Sequence, residues 1–453
     1  MKFIMKPAPN YRTKDKTERI MFDLTIGLLI ILAFGLFNAS RNSMNNVINI
    51  LVLLIVALLV ACGTEIIYAK IMKQNPLEYI SRSFPWVPAI ILVLIAPANI
   101  TPYAIAISTF IAIVFGKLLF GGFGQNIFNP AGVGRAVIAV SFVSSVTADV
   151  IVGATPTASM ASLGWLTNKE GFASFISEFG GLSNLFIGLY DGAIGETSSL
   201  LIILVGIFLV IRNVIDFRVP VFYIGTIFLG GFLIGLPHNV GLEYGLFHIF
   251  TGGALFAAVF MLTDPVTNPT TKTGKIIFAI GAAVITLIIR IKGNLPEGVV
   301  FSILLMNMMT PVIDRNLEGQ QFTRIIKNTI AILVCFVLGI GIIYFSGRTL
   351  EVKDNLEKVK ITSVDGNIYT VSSLGFEGDN IIEIEYDGIS VLSVKVVEFN
   401  DTKGIGDLAI NDEYLTYLTT VDYKSNLDID TVSGATVTSK SIIEAIKLVV
   451  KGE

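Results

Sequence analysis

Two threonines occupy the same nine-residue frame. Asp149-Val-Ile-Val-Gly-Ala-Thr155-Pro-Thr157 and Asp430-Thr-Val-Ser-Gly-Ala-Thr436-Val-Thr438 both read Asp-x-x-x-Gly-Ala-Thr-x-Thr. A threonine hydroxyl can carry a phosphoester, and a phosphate-linked cofactor fixed there keeps its ring chemistry while losing its freedom to exchange. Gly153-Ala154 and Gly434-Ala435 keep bulk away from the hydroxyl, so that a transferase and a phosphate can approach. The first copy lies among long apolar segments and the second in a polar tail. One outside enzyme reading both copies accounts for shared spelling in such unlike surroundings. The plainer alternative for a single copy is a glycine turn followed by a helix cap.

Gln125, Asn126, Asn129, Thr263, Asp264, Thr267 and Asn268 form a second group, at the ends of apolar runs and beside Gly and Pro. Polar, helix-broken segments at membrane depth are tolerated mainly where they line a site. An Asn or Gln can pair with the edge of a planar ring. Asp264 could accept from such a ring or its polyol chain, or face a cation. The alternative is a cytoplasmic loop of caps and Asn-Pro turns. Cys62 and Cys335 each lie inside an apolar run and no Cys-x-x-Cys exists. This excludes an iron–sulfur cluster held by the chain alone and leaves small packing residues. His238 and His248 lack metal-ligand spacing and read as interfacial or helix-packing residues. There is no dinucleotide-binding glycine loop, so nicotinamide or ferredoxin oxidation is expected on another polypeptide.

Hydrophobic residues make up 53% of the chain and charged residues 15%, against about 25% charged in soluble domains. That is the composition of a membrane protein. Apolar runs fall near 21–38, 46–69, 84–98, 102–120, 132–149, 198–213, 219–236, 246–263, 275–290, 297–313 and 325–346, predicting about eleven transmembrane helices. Lys and Arg gather in the N-terminal segment and in alternate loops, with Arg290 and Lys292 the main exception. The positive-inside rule then places the N-terminus in the cytoplasm, and both threonine motifs and the C-terminal body outside. No cleavable signal peptide is expected, because the first apolar run follows about twenty polar, basic residues.

From residue 350 onward there are roughly 19 acidic and 9 basic residues, which argues against nucleic-acid or anionic-lipid binding there. This tail reads as α+β. Segments 381–386 and 389–397 alternate as strands about an Asp387-Gly388 turn, and 439–450 has helical spacing with Thr438 or Ser439 able to cap it. The second motif therefore sits in the loop opening a helix, where backbone amides favour a phosphate.

Asp430 to Thr436 resembles the flavinylation signature of FMN-binding domains, as in the G subunit of Rnf and the C subunit of the sodium-pumping NADH:quinone reductase. The resemblance implies FMN esterified through its phosphate to Thr436, behind Asp430, Ser433, Gly434 and Ala435. Gly375-Phe-Glu-Gly378 and Asp401-Thr-Lys-Gly-Ile-Gly406 resemble that domain's glycine segments, with Lys403 where the family often has Pro. The membrane body resembles the D subunit of Rnf and the B subunit of the sodium-pumping reductase. Gly121-Gly-Phe-Gly-Gln-Asn-Ile-Phe-Asn-Pro130, Gly153-Ala-Thr-Pro156 and Leu262-Thr-Asp-Pro-Val-Thr-Asn-Pro269 carry this likeness. It implies a second covalent FMN at Thr155, although Val152 stands where the family usually has Ser or Thr. It also implies a non-covalent flavin, riboflavin in the sodium-pumping relative, toward the inner face.

The expected architecture is a polytopic α-helical membrane protein, with a hint of two inverted five-helix halves, plus a C-terminal α+β FMN-binding domain. The segments are a cytoplasmic stretch 1–20, a membrane domain 21–315, an anchor helix within 316–349 and an extracytoplasmic domain 350–453. The resemblance implies an electron-transfer subunit of an Rnf-type, ion-pumping complex in the plasma membrane. Its partners would be other membrane subunits, the lipid bilayer and a flavin transferase, with no nucleic acid. An exporter of electrons to extracellular acceptors without ion pumping fits the same residues. A secondary transporter with an outer sensory domain fits the helices but leaves the repeated threonine motif unexplained.

Overall fold

The computed structural model describes residues 17–143, 145–147, 150, 153–293, 298–317, 324–350, 359–375, 378–388, 390–401, 406–421, 423, 429–432 and 435–451. Asp149, Val152, Ser433 and Gly434 lie outside the described residues. The membrane body runs α1 (Thr17–Asn42), α2 (Met44–Ile71), α3 (Pro76–Ser83), α4 (Trp86–Ile95), α5 (Pro102–Gly116), α6 (Pro130–Ser141), α7 (Pro156–Ser162), α8 (Lys169–Glu178), α9 (Gly181–Ile187), α10 (Ser199–Ile211), α11 (Arg218–Gly235), α12 (Gly241–Phe250), α13 (Ala254–Phe256), α14 (Lys272–Lys292), α15 (Val299–Leu317) and α16 (Ile325–Arg348). A π turn over Ala257–Met261 extends α13.

Each apolar run contains helix, but the run at 132–149 is helical only to Ser141 and not each becomes a full span. Six described helices are long and apolar enough to cross a membrane: α1, α2, α5 with its 3₁₀ extension to Phe120, α11 with its extension to His238, α14 and α16. Two broken pairs raise the number to eight: α3 with α4, bent by 50°, and α12 with Ala254–Met261, bent by 62°. The expected eleven continuous spans are therefore not found. At 1.5 Å per residue, α6 (12 residues) and α10 (13 residues) reach only ~18–20 Å, well short of a ~30 Å hydrocarbon core. α15 is longer, but Asn307, Pro311, Asp314 and Arg315 interrupt its apolar character.

Helix starts follow a repeated local rule. Asn75-Pro76, Thr101-Pro102, Asn129-Pro130 and Thr155-Pro156 each put a polar residue at the N-cap and proline at the first helical position. Proline needs no amide partner there and its fixed φ suits the helix. In packing, α2 lies on α4 and α5, and α5 on α6; likewise α11 lies on α12 and α14, and α14 on α15. The start of α1 and the end of α10 are tied by Arg212, which donates to both oxygens of the buried Asp23 at 3.1 and 3.2 Å. Asp216, in the turn before α11, takes bonds from Arg218 and from Lys275 on α14. Arg212, Arg218 and Lys275 thus meet acids at one end of the bundle.

The C-terminal part is a four-stranded antiparallel meander in the order β1 (Val359–Asp365), β2 (Ile368–Leu374), β3 (Asp379–Tyr386), β4 (Val391–Glu398). The expected hairpin is present, with Tyr386 paired to Val391 and Gly388 at φ +89° in the turn. Alternate residues Asn380, Ile382 and Ile384 of β3 point inward. They face α17 (Asp412–Thr420) and α18 (Thr436–Lys451), whose Ile442, Ala445 and Ile446 complete a second core. The helix begins earlier than the spacing suggested. Thr438 and Ser439 are therefore not caps: Thr438 donates to the buried Asp401, and Ser439 accepts from the Val432 amide.

Candidate functional site

Three places carry the predicted residues, and the first surrounds Thr155. This half-exposed residue is the N-cap of α7: its Oγ1 accepts from the Ala158 amide at 3.2 Å and lies 3.1 Å from the Thr157 hydroxyl. The cap alternative is thus met. Gly153 is fixed by a bond from its amide to Asp191 Oδ2 at 3.0 Å, and Asn42 donates to the other carboxylate oxygen at 2.6 Å. A Cβ at Gly153 would collide with that carboxylate, so a glycine here answers a close approach as well as an open path to the threonine. Ala154 lies between, half-buried.

Beneath this loop is the break between α12 and α13, at Gly252 and Gly253 with φ of +65° and +67°. Such angles favour glycine. The broken end of α12 exposes carbonyls, and the fully buried Arg290 of α14 takes them: it donates to the oxygens of His248, Thr251 and Gly252 at 2.7, 2.9 and 2.8 Å. Buried carbonyls at a helix end need such partners. His248 is fully buried and stacks on Trp165, which agrees with the packing role. On the other side of the break, Glu196 lies against Gly253.

The second place is a cleft at the opposite end of the bundle, with ≈ 710 Å³ of non-atom space, its open mouth included. Its walls include Phe84, Phe123, Lys117, Asn126, Asn129, Thr263 and Asp264. Sequence motifs 139 positions apart therefore do converge; Asn129 donates to the Met261 carbonyl at 3.3 Å, and Asn307 of α15 bridges the Asn129 amide and the Thr267 carbonyl. Much of this polarity is structural. Asn129 Oδ1 caps α6 through the Gly132 amide, Asp264 closes its own turn through Val266 and Thr267, and Asn268 donates to Leu262. Asn126 donates to the Phe128 carbonyl, while Gln125 is exposed and does not line the cleft. Apolar walls with a few polar groups suit a ring system.

Sequence reasoning missed the charge beside this cleft. Lys117 Nζ lies 2.6 Å from Glu65 Oε1 and 2.6 Å from the Ser83 carbonyl, at the α3–α4 break. Both side chains are buried. The available signal was Glu65, an acid inside an otherwise apolar run, since ionisable residues within spans are expensive. Arg290 had a signal too, as a basic residue on the wrong side of the charge count.

The third place is the start of α18. Thr436 is its first residue, and Ala435 is buried just before it. Asp430 is held by its carbonyl, which accepts from Tyr414 at 2.9 Å; burial pushes the Tyr414 hydroxyl up to about 12. The two glycine segments meet here. A Cβ at Gly375 would lie 2.5 Å from Asp401 Oδ2 and 2.7 Å from Asn380 Nδ2, and one at Gly406 would lie 2.8 Å from Thr438 Oγ1. Asn380 Nδ2 is buried with no hydrogen-bond partner among the described residues. Both glycines thus answer close approaches, and the spare Asn380 donor stands beside the Asp401 carboxylate that accepts from Thr438. Among the described residues no group of three metal-ligating side chains occurs.

Two family models match the chain. The sequence model of the NQR2, RnfD, RnfE family matches residues 4–323, and that of the FMN-binding domain matches residues 375–451. The D subunit of the proton-translocating ferredoxin:NAD(+) oxidoreductase complex of Clostridium ljungdahlii is 35% identical over 333 residues, 71% of this chain and 96% of the relative. The D subunit of the ion-translocating oxidoreductase complex of Stutzerimonas stutzeri is 32% identical over 344 residues, 69% and 93% of the two chains. The D subunit of the Na(+)-translocating ferredoxin:NAD(+) oxidoreductase complex of Acetobacterium woodii is 32% identical over 316 residues, 68% and 91%. Each relative is matched over nearly its whole length by less than three quarters of this chain. The chain belongs to the NQR2, RnfD, RnfE family, and its C-terminal part is an FMN-binding domain.

Proposed function

We propose that this chain is the D-type membrane subunit of an Rnf-type ion-translocating oxidoreductase, carrying in one polypeptide the covalent FMN of a G-type subunit. FMN is esterified to Thr436 and to Thr155, both on the outer side, and a non-covalent flavin occupies the inner cleft beside Asn126, Asn129 and Asp264. The repeated Asp-x-x-x-Gly-Ala-Thr-x-Thr frame carries this reading, because each copy sets its threonine at the first turn of a helix, Thr155 as the cap of α7 and Thr436 as the first residue of α18. The match of the FMN-binding domain model to residues 375–451 supports the assignment at Thr436.

A flavin at these positions supplies one- and two-electron carrier chemistry. The chain supplies placement. The Asp191 bond to Gly153 holds the Thr155 loop over the α12–α13 break. The Asp401–Thr438 bond and the close packing at Gly375 and Gly406 hold the start of α18. The apolar walls of the inner cleft, Phe84 and Phe123 among them, keep water from its ring site. Oxidation of ferredoxin or NADH takes place on partner subunits, and electrons pass through this chain across the bilayer. The basic end of the bundle, with Arg212, Arg218 and Lys275, faces the cytoplasm.

The test is intact mass together with in-gel flavin fluorescence after co-expression with a flavin transferase. Two FMN adducts are expected, one in each of Thr155→Val and Thr436→Val, and none in the double variant. Fluorescence of the denatured double variant would sink the assignment. A C-terminal reporter that is active only in the cytoplasm should stay silent; a signal from it would reverse the orientation.

A further inference from the structure

Both helix breaks are built alike, and each adjoins one of the proposed flavin sites. In each packing series, the helix after the broken pair supplies a buried cation to the carbonyls of the break. Lys117, just past α5, donates to Ser83 beside the inner cleft. Arg290, near the end of α14, donates to His248, Thr251 and Gly252 beside Thr155. Each break also has a carboxylate: Glu65 at Lys117, and Glu196 against Gly253. A helix end needs its carbonyls satisfied, and that alone accounts for a donor. It does not account for a full charge with an acid opposite it at both breaks.

We propose that Arg290 and Glu196 are positioning residues of the Thr155 site that set the reduction potential of the flavin held there. This rests on the assignment of FMN to Thr155. The geometry is short. Arg290 Nη2 and the Thr157 methyl lie 2.5 and 2.8 Å from one point, the Cβ that an alanine at 252 would have, so they stand within about 5 Å of each other and the guanidinium lies directly behind the threonine pair. Thr157 Oγ1 is 3.1 Å from Thr155 Oγ1. Glu196 flanks the adjoining Gly253. Uptake of an electron adds negative charge to the flavin; the guanidinium favours it and the carboxylate opposes it, through a medium of low dielectric. Other charged groups on this face are Asp191, bonded to Gly153 and Asn42, and the exposed Lys292 on α14.

The experiment uses the full chain carrying Thr436→Val, so that the covalent flavin signal comes from Thr155 alone. Redox titration is followed by absorbance, with the protein also carrying Thr155→Val as the blank. Arg290→Gln should lower the potential by at least a tenfold change in the one-electron equilibrium, about 59 mV. Glu196→Gln should raise it, Arg290→Lys should restore most of the loss, and Lys292→Gln should leave it unchanged. If Arg290→Gln does not fold, the half-exposed Glu196→Gln carries the test. Covalent fluorescence with parental potentials in Arg290→Gln and Glu196→Gln, or in Glu196→Gln alone should the former not fold, overturns the proposal. Absence of the adduct in the Thr436→Val parent instead overturns the assignment to Thr155.

Discussion

Removing Lys117 should be far more damaging than removing Lys117 and Glu65 together. The ammonium bridges Glu65 Oε1 and the Ser83 carbonyl, each at 2.6 Å, and both side chains are buried. The other carboxylate oxygen, Oε2, is buried with no hydrogen-bond partner among the described residues, so Glu65 has little besides Lys117 to offset its lost hydration. Breaking such a pair from one side costs about 3–5 kcal/mol, because a charge is left alone, whereas replacing both groups by apolar ones of like volume is often neutral. At about 2 °C per kcal/mol, the low end of the scale for large domains, Lys117→Met should lower the apparent midpoint by ~6–10 °C. Lys117→Met with Glu65→Met should recover most of that, short of the ~1 kcal/mol for the hydrogen bond lost at Ser83. The assay is the fraction of monodisperse protein surviving heating in detergent, at one fixed heating rate, since unfolding of such proteins is commonly irreversible. A single variant within ~2 °C of the parent, or a double variant no better than the single, would refute the reasoning.

Gly153→Ala should displace Asp191 and lower adduct formation at Thr155 while leaving Thr436 fully modified, read by fluorescence in the two threonine backgrounds. Tyr414→Phe removes the bond to the Asp430 carbonyl and should cost about 1 kcal/mol, read by chemical denaturation of the chain's C-terminal tyrosine signal. Burial alone would raise the Asp216 carboxyl, but the Arg218 amide and the Lys275 ammonium hold it below the usual carboxylate value. Its folded value is depressed, so its contribution is whole above the unfolded value near ~3.9 and is lost as pH falls through the folded one. The stability gap between parent and Asp216→Asn should therefore be flat from neutral pH down to about 5 and close below about 3.9; a gap that widens in acid would contradict it.

The sequence carried the helices well and the breaks poorly. Apolar runs are set by what must avoid water, and each one contains a helix here. Whether a run crosses in one piece is decided by a residue or two, such as Phe84 at φ 52° or the Gly252-Gly253 pair, which periodicity hardly registers. The C-terminal hairpin was legible because its turn and its alternation are local. The start of α18 was misjudged by three residues, since Thr438 is used by Asp401 from a distant loop and not by its own helix. The Asn-Pro segments were rightly brought together, yet their side chains are largely consumed as caps, a use that local spacing also explains. Lys117 and Arg290 could be singled out only with partners known, because the carbonyls they hold come from other helices.

The link from α16 to β1 is short, and that fixes a limit on reach. Eight residues separate Leu350 from Val359, so the tether spans at most ~30 Å even when drawn straight. The two domains are here confined by chain length. A module so leashed meets the membrane body at a local concentration near the millimolar scale, independent of expression level or dilution. Any encounter between the FMN-binding domain and the membrane body is then a first-order event within one molecule, at fixed one-to-one stoichiometry.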